Sequence, residues 1–346
     1  MIERSLIEID GRRGEGGGQV LRTALALSQA LGRPFHLTNI RGRRPKPGLK
    51  RQHLACIQAA GLICGASFEG AEINSGELIF RPGPVRPGDY RIDIGGGGSC
   101  TLVAQAILPP LMVTSGPSRI TISGGTHVPM APVFEFFEQT LLPRLRQMGP
   151  RLTARLAVHG FAQIGGGLME ITVEPAGPLK GLDLTEAGQV SELTGCIRTF
   201  GLAESIAERE AALLRKSELN IGHLEIDHQP PGESGPGNLV LLKSVRTSGV
   251  TIASGVGRPG LPAEKVAGQA IDRLLKIIRA DVPVDAHLAD QLIVPLALAG
   301  GGRLLTETPT LHTRTVMEML PEFAPLKAAA SPVNSRSWLI EVAERS

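Results

Sequence analysis

Three short stretches of this chain hold residue types suited to phosphate chemistry. The first, Gly14-Glu15-Gly16-Gly17-Gly18-Gln19-Val20-Leu21-Arg22, is a glycine cluster with one carboxylate inside it and an arginine one turn beyond. Glycine permits positive φ and lets a bulky partner approach the main chain. An apolar segment of helical period, Gln19–Leu31, follows directly, and a helix start offers free N–H groups and a positive dipole end to phosphate. A tight turn between a strand and a core helix would use the same glycines, but it leaves Glu15 and Arg22 without a purpose. The second stretch is Arg41-Gly42-Arg43-Arg44-Pro45-Lys46-Pro47-Gly48-Leu49-Lys50-Arg51, with six basic residues and no acidic one. A solvated face can look like this, yet arginines broken up by Gly and Pro and ending at a helix start are the pattern of phosphate recognition.

The third stretch surrounds His312, one of eight histidines: His36, His53, His127, His159, His223, His228, His287 and His312. None stands in an H-x-x-x-H or H-x-H pair, so a histidine-bound zinc site is not expected. No G-x-x-x-x-G-K-[ST] loop and no G-x-S-x-G elbow occurs either. His312 follows a strand and sits at the mouth of a helix. A neutral imidazole there can attack phosphorus while arginines and a metal draw charge from the phosphates. Upstream, His287-Leu288-Ala289-Asp290-Gln291 begins another helix. Asp290 in its first turn either caps that helix or orients His312 or a nucleotide.

The elements that must position these residues recur in one order. A strand (Leu6–Asp10), a helix (Gln19–Leu31), a strand (Pro34–Ile40), the basic loop, a helix (about Leu49–Leu62) and two strands (Ala66–Ile73, Glu77–Arg81) form the first unit. The second has a helix Ser99–Val113, a strand Ser118–Ser123, the loop Gly124–Pro132, a helix Val133–Met148 and strands Arg151–His159 and Leu168–Val173. The third, from Asp285, has a helix Leu288–Ala299, a strand Arg303–Thr306, the loop Thr308–His312, a helix Thr313–Leu320 and strands Leu326–Ala330 and Ser337–Val342. Arg41–Arg51, Thr126–Pro132 and Thr310–Thr313 therefore occupy corresponding places, each feeding a helix N-terminus. Between the last two units, about Asp183–Val282 reads as an inserted small α/β domain. It comprises a strand Val190–Phe200, a helix Glu204–Lys216, three further strands and an amphipathic helix Pro262–Arg279.

Composition narrows the function classes. At 346 residues, 42% apolar and 20% charged, the chain is an ordinary globular protein with room for about two domains. One Trp and one Tyr supply little for base stacking along a single strand. A net charge of +3 means that any polyanion site must come from local clustering. Cys56, Cys64, Cys100 and Cys196 have no paired spacing and read as thiols of a reducing cytosol. No secretory leader and no membrane span is expected, which places the protein in the cytoplasm.

Taken together, Gly14–Gln19 with Leu21-Arg22, Lys46-Pro47-Gly48-Leu49 with Arg51-Gln52-His53-Leu54, Gly98-Ser99-Cys100-Thr101, Gly124-Gly125-Thr126 and Ala289-Asp290-Gln291-Leu292 resemble the RNA 3'-terminal phosphate cyclases over nearly the whole chain. The resemblance implies an α/β (α+β) fold of three βαβαββ repeats like the C-terminal domain of bacterial translation initiation factor 3, residues 1–182 and 283–346, with the smaller α/β domain inserted at 183–282. It implies a ligase that uses ATP to convert an RNA 3'-phosphate into a 2',3'-cyclic phosphate, through a histidine–AMP intermediate and an adenylylated RNA end. In that scheme His312 is the nucleophile and Arg22, Arg41, Arg44 and Gln52 hold phosphates. Glu15 binds the divalent metal, Mg²⁺ or Mn²⁺, and Gln105, Pro132, His287, Asp290 and Gln291 line the nucleotide pocket. The partner is RNA with a 3'-phosphate end, with no membrane involved and a homodimer compatible. Two positions depart from the family pattern. His287 stands where a tyrosine lies near the adenine, and Thr313-Arg314-Thr315-Val316 replaces a run that often ends in Thr-Asn. The competing reading is a non-catalytic cyclase-like RNA-binding factor of ribosome assembly, a lineage that lacks the nucleophilic histidine.

Overall fold

The computed structural model describes residues 5–344, and the strands in them form four sheets of four strands each. In the first, β1 (Ile7–Asp10) leads into α1 (Gly18–Leu31), and β2 (Phe35–Thr38) pairs parallel with β1. Then α2 (Arg51–Cys64) leads to β3 (Ser67–Glu69) and β4 (Leu78–Arg81), giving the order β1-β2-β4-β3. Both helices end on a left-handed glycine, Gly32 at φ 62° and Gly65 at φ 59°, whose N–H groups bond back to Ser28 and Gly61. A side chain is disfavoured in that conformation, so glycine sets the helix length.

The second sheet contains β5 (Asp89–Asp93), α3 (Cys100–Met112) and β6 (Ser118–Gly124). A helix follows in three pieces, α4 (Phe134–Phe136), a π turn (Phe137–Leu141) and α5 (Leu142–Gln147), before β7 (Arg151–Val158) and β8 (Gly167–Glu174). The sequence pattern predicts a single helix over 133–148. The widening falls just before Pro143, which has no N–H to donate to the preceding turn. β5 was not expected. Only Ile92 of its five side chains is buried, so alternation is weak there, and parallel pairing with β6 holds it in place. The order is β5-β6-β8-β7. In β8 burial alternates through Gly167, Met169, Ile171 and Val173, as a strand with one face on the core requires.

β9 (Asp183–Leu184), the first two residues of the stretch expected as an insertion, pairs parallel with a strand far downstream. The intervening chain forms β10 (Val190–Phe200), α6 (Glu204–Lys216), β11 (His223–Gln229), β12 (Gly237–Arg246), β13 (Gly249–Val256) and α7 (Ala263–Ala280). These strands make a separate sheet of order β11-β10-β12-β13. Val240 and Leu242 of β12 pack in one cluster with Ala207 and Leu214 of α6 and Val266 and Leu274 of α7. Leu239 and Leu241, on the opposite face, join the main core. Burial on both faces explains why this stretch reads as an unbroken apolar run rather than an alternation.

The chain then returns through α8 (Ala286–Leu298), β14 (Gly302–Thr306), α9 (Leu311–Phe323), β15 (Leu326–Pro332) and β16 (Trp338–Glu344). Their sheet has the order β9-β14-β16-β15, the same relative order as the first two. α1 packs against α2, α3, α8 and α9, and α8 against α3 and α9. α3 and α8 are buried around most of their circumference, as their nearly all-apolar sequences demand. This helix packing brings together the start of α1, the middle of α3 and the first turns of α8 and α9. Among the described residues no helix is long and apolar enough to cross a membrane, and all four cysteines are free thiols.

Candidate active site

The glycine turn after β1 rests on the first turn of α9. Gly14 has φ +53°, and a Cβ placed there would lie 1.9 Å from Oγ1 of Thr315, so both backbone and space demand glycine. α9 starts because the side chain of Thr310 accepts the N–H of Thr313 at 3.0 Å. The helix begins at Leu311, two residues earlier than its sequence suggests, which makes His312 part of the first turn rather than of the loop before it.

His312 stands between two carboxylates. Its Nε2 is 3.1 Å from Oε2 of Glu15 and its Nδ1 is 3.8 Å from Oδ2 of Asp290. The contact with Asp290, helped by the charge of Glu15, raises the His312 pKa, against burial and the positive charge of Arg22. The same Oε2 of Glu15 accepts from Nη2 of Arg44 at 2.6 Å, so one oxygen bridges a guanidinium and an imidazole.

Asp290 is the fifth residue of α8 and does not cap it. The cap is Asp285, whose Oδ1 accepts the N–H groups of His287 and Leu288 at 2.9 and 3.3 Å. Asp285 is in turn paired with Arg273 of α7 at 3.0 Å, and Arg273 also reaches the fully buried Glu307 at 2.7 Å. With capping assigned elsewhere, the Asp290 carboxylate faces His312. Its neighbours Arg22, Gln19, Gln105 and Gln291 line a narrow cavity with it. Arg22 is 6% exposed; its Nε donates to Oε1 of Gln105 at 3.0 Å and its Nη2 to Oε1 of Gln19 at 2.7 Å. Burial makes the Arg22 charge costly, and Asp290 helps to retain it.

The other expected residues divide. The guanidinium of Arg41 lies on its own loop, where Nη1 donates to the carbonyls of Lys46 and Gly48. Arg43, for which the sequence suggested no individual role, ties the basic loop to the glycine turn through Nη1 and the carbonyl of Gly14 at 2.8 Å. Gln52 and Pro132 meet the start of α3: Oε1 of Gln52 accepts the N–H of Ser99 at 2.8 Å, and the Pro132 carbonyl accepts from the Thr101 hydroxyl at 2.7 Å. Among the described residues no hydrogen bond or ion pair joins these two to His312. His287 is exposed, and its carbonyl accepts from Nε2 of Gln291 at 3.3 Å. His53, to which the sequence assigned no individual role, is buried with its Nδ1 accepting the N–H of Lys50 at 3.1 Å. Burial, then Arg22, Arg41 and Lys50, push it down to about 3, so it is a neutral imidazole supporting Gly18. Its signals in the sequence were the Arg51-Gln52-His53-Leu54 motif and a place near a helix start.

This arrangement suits attack on phosphorus: an imidazole oriented by carboxylates, guanidinium groups beside it, and a helix start at Gly18 with no acidic residue in its first turn. The half-exposed Glu15 is an oxygen donor of the kind that, with phosphate oxygens, completes a Mg²⁺ or Mn²⁺ shell. A family model described as RNA 3'-terminal phosphate cyclase matches residues 13–330, a span that includes Glu15 and His312. A Pseudomonas fluorescens protein named RNA 3'-terminal phosphate cyclase is 42% identical over 339 residues, covering 97% of each chain.

Proposed function

The chain belongs to the RNA 3'-terminal phosphate cyclase family, and from that premise we propose that it converts an RNA 3'-phosphate into a 2',3'-cyclic phosphate while splitting ATP into AMP and pyrophosphate. The observation that carries this reading is the placement of His312 between Asp290 and Glu15. Asp290 favours the proton on Nδ1, while Nε2 faces the Glu15 carboxylate, which only accepts; once Glu15 turns away and the Nε2 proton passes to solvent, the lone pair is free on Nε2. Nε2 attacks the α-phosphorus of ATP; the N–P bond forms, the bond to the bridging oxygen breaks, and pyrophosphate leaves. An oxygen of the RNA 3'-phosphate then attacks the same phosphorus, the P–N bond breaks, and the imidazole regains its lone pair. Finally the 2'-OH attacks the 3'-phosphorus, its proton passes to solvent, and AMP departs.

Arg44 and Arg22 supply positive charge on the exposed and buried sides of this centre, and Arg41 keeps the basic loop in shape for both. A divalent cation held by Glu15 would offset phosphate charge. Gln105 and Gln291 share the cavity with Asp290 and would meet the nucleotide, with Gln52, Pro132 and His287 at its margins. The shared strand order of three sheets supports reading them as three copies of one βαβαββ unit, of the kind in the C-terminal domain of bacterial translation initiation factor 3. The fourth sheet would then be an inserted domain. Free thiols at all four cysteines suit a reducing compartment such as the cytoplasm.

The test is covalent labelling. With α-labelled ATP and Mg²⁺ or Mn²⁺, the protein should acquire label that is acid-labile and base-stable, as a phosphoramidate is. His312→Ala should acquire none. An unlabelled wild type, or undiminished label in His312→Ala, would overturn the mechanism.

A further inference from the structure

His127 lies in the loop after β6, Glu135 is in α4, and His159 follows β7. The fold brings one ligand atom from each to within 4.8 Å of the others. Nε2 of His127 is 2.9 Å from Oε2 of Glu135. Its Nδ1 is 2.9 Å from the hydroxyl of Thr126, which accepts the N–H of Gly160 at 2.9 Å. The two imidazoles stack with centroids 5.3 Å apart, and Phe161 and Phe200 wall the group. His127 is fully buried and the Glu135 side chain is 12% exposed, while His159 is partly open to solvent.

A cation already visits this point. Nη1 of Arg198, from β10, is 3.4 Å from Nε2 of His159 and 3.5 Å from Oε1 of Glu135. A guanidinium only donates, so Nε2 of His159 must present its lone pair to it. Arg198 has another partner, because its Nε donates to Oδ2 of Asp227 at 3.1 Å.

We propose that His127, Glu135 and His159 form a metal site for Zn²⁺ or a cation of similar preference, separate from the centre at Glu15 and independent of the cyclase reading. Two imidazoles and a carboxylate are the donor set of borderline cations, whereas Mg²⁺ and Ca²⁺ prefer oxygen throughout. Thr126 fixes the ring of His127, as an outer partner does for metal-binding histidines. On binding, the proton shared by His127 and Glu135 is released, and Arg198 turns to Asp227. The bound ion fastens the loop after β6, the start of α4 and the end of β7 at the face where the inserted sheet packs.

Co²⁺ serves as the probe, added with excess Mg²⁺ to full-length protein freed of metal by a chelator. The expected result is one equivalent of Co²⁺ with the visible absorption of a nitrogen-ligated site, lost in His127→Ala and in His159→Ala but retained in Glu15→Gln. Arg198→Met removes the competing charge while leaving all three ligands in place and should tighten Zn²⁺ binding about tenfold, the scale of an outer-shell change. It also covers the case in which a histidine variant fails to fold. Absence of the band in the wild type, its survival in folded His127→Ala and His159→Ala, its loss in Glu15→Gln, or unchanged or weaker binding in Arg198→Met would each overturn the site.

Discussion

Nε2 of His312 and Oε2 of Glu15 lie 3.1 Å apart although 297 residues separate them in sequence. The carboxylate suited to hold a cation therefore also holds the imidazole suited to attack phosphorus. A turn of Glu15 toward a cation would bare Nε2 while Asp290 keeps hold of Nδ1.

Because its folded pKa is raised above the ordinary value of 6.5, His312 should remain protonated to a higher pH than a free histidine. Attack needs the lone pair, so labelling by ATP should increase with pH through a midpoint above 6.5. The stabilisation that comes with the raised pKa is fully present below 6.5 and fades as pH rises through the folded pKa. In Asp290→Asn both the NMR titration midpoint of His312 and the rate midpoint should move down. A midpoint that stays in place or moves up would remove Asp290 as the orienting group.

Arg44→Ala should slow labelling without unfolding the protein. Arg44 and Glu15 are both more than a third exposed on their side chains, and such a pair contributes at most about 1 kcal/mol. The melting temperature should therefore hardly move while the KM for ATP rises about tenfold, as loss of one charge-assisted phosphate contact implies. An unchanged cyclisation rate would take Arg44 out of the site.

Gly14→Ala should cost about 1–3 kcal/mol, since the residue sits at φ +53° and its new Cβ would meet the Thr315 hydroxyl. Combining it with Thr315→Ala should recover the steric part and leave the backbone part, about 1 kcal/mol. Denaturant melts of the two single variants and the pair form a double-mutant cycle. Strict additivity there would contradict the contact.

Arg273→Ala should be more damaging, about 3–5 kcal/mol, because it leaves Asp285 and Glu307 buried together without their shared cation. Lys276, 3.4 Å from Glu307 but largely exposed, offers only partial replacement. Urea unfolding at neutral pH measures the loss. A variant as stable as the wild type would show that this network holds little of α7 against α8.

Much of the secondary structure was legible in the sequence because helix and strand periods are local properties. α1, α3, α6, α7 and β8 all fall where apolar spacing, caps and breakers put them. β5 and the π turn did not show, because β5 buries one side chain and the irregular turn depends on Pro143 within a continuous apolar pattern. The family membership was legible as well, since Gly14–Arg22 and Lys46–His53 are short contiguous motifs. Which groups touch was decided only by the tertiary structure. Spacing alone left Asp290 as either a cap or a partner of His312, and the fold assigned the cap to Asp285. The absence of paired histidines argued against a histidine-bound metal, yet packing of the loop after β6 on α4 and β7 gathers His127, Glu135 and His159. Local sequence determines backbone conformation within a few residues, whereas a site is a meeting of side chains from distant segments. Its geometry exists only once α1, α8 and α9 have packed.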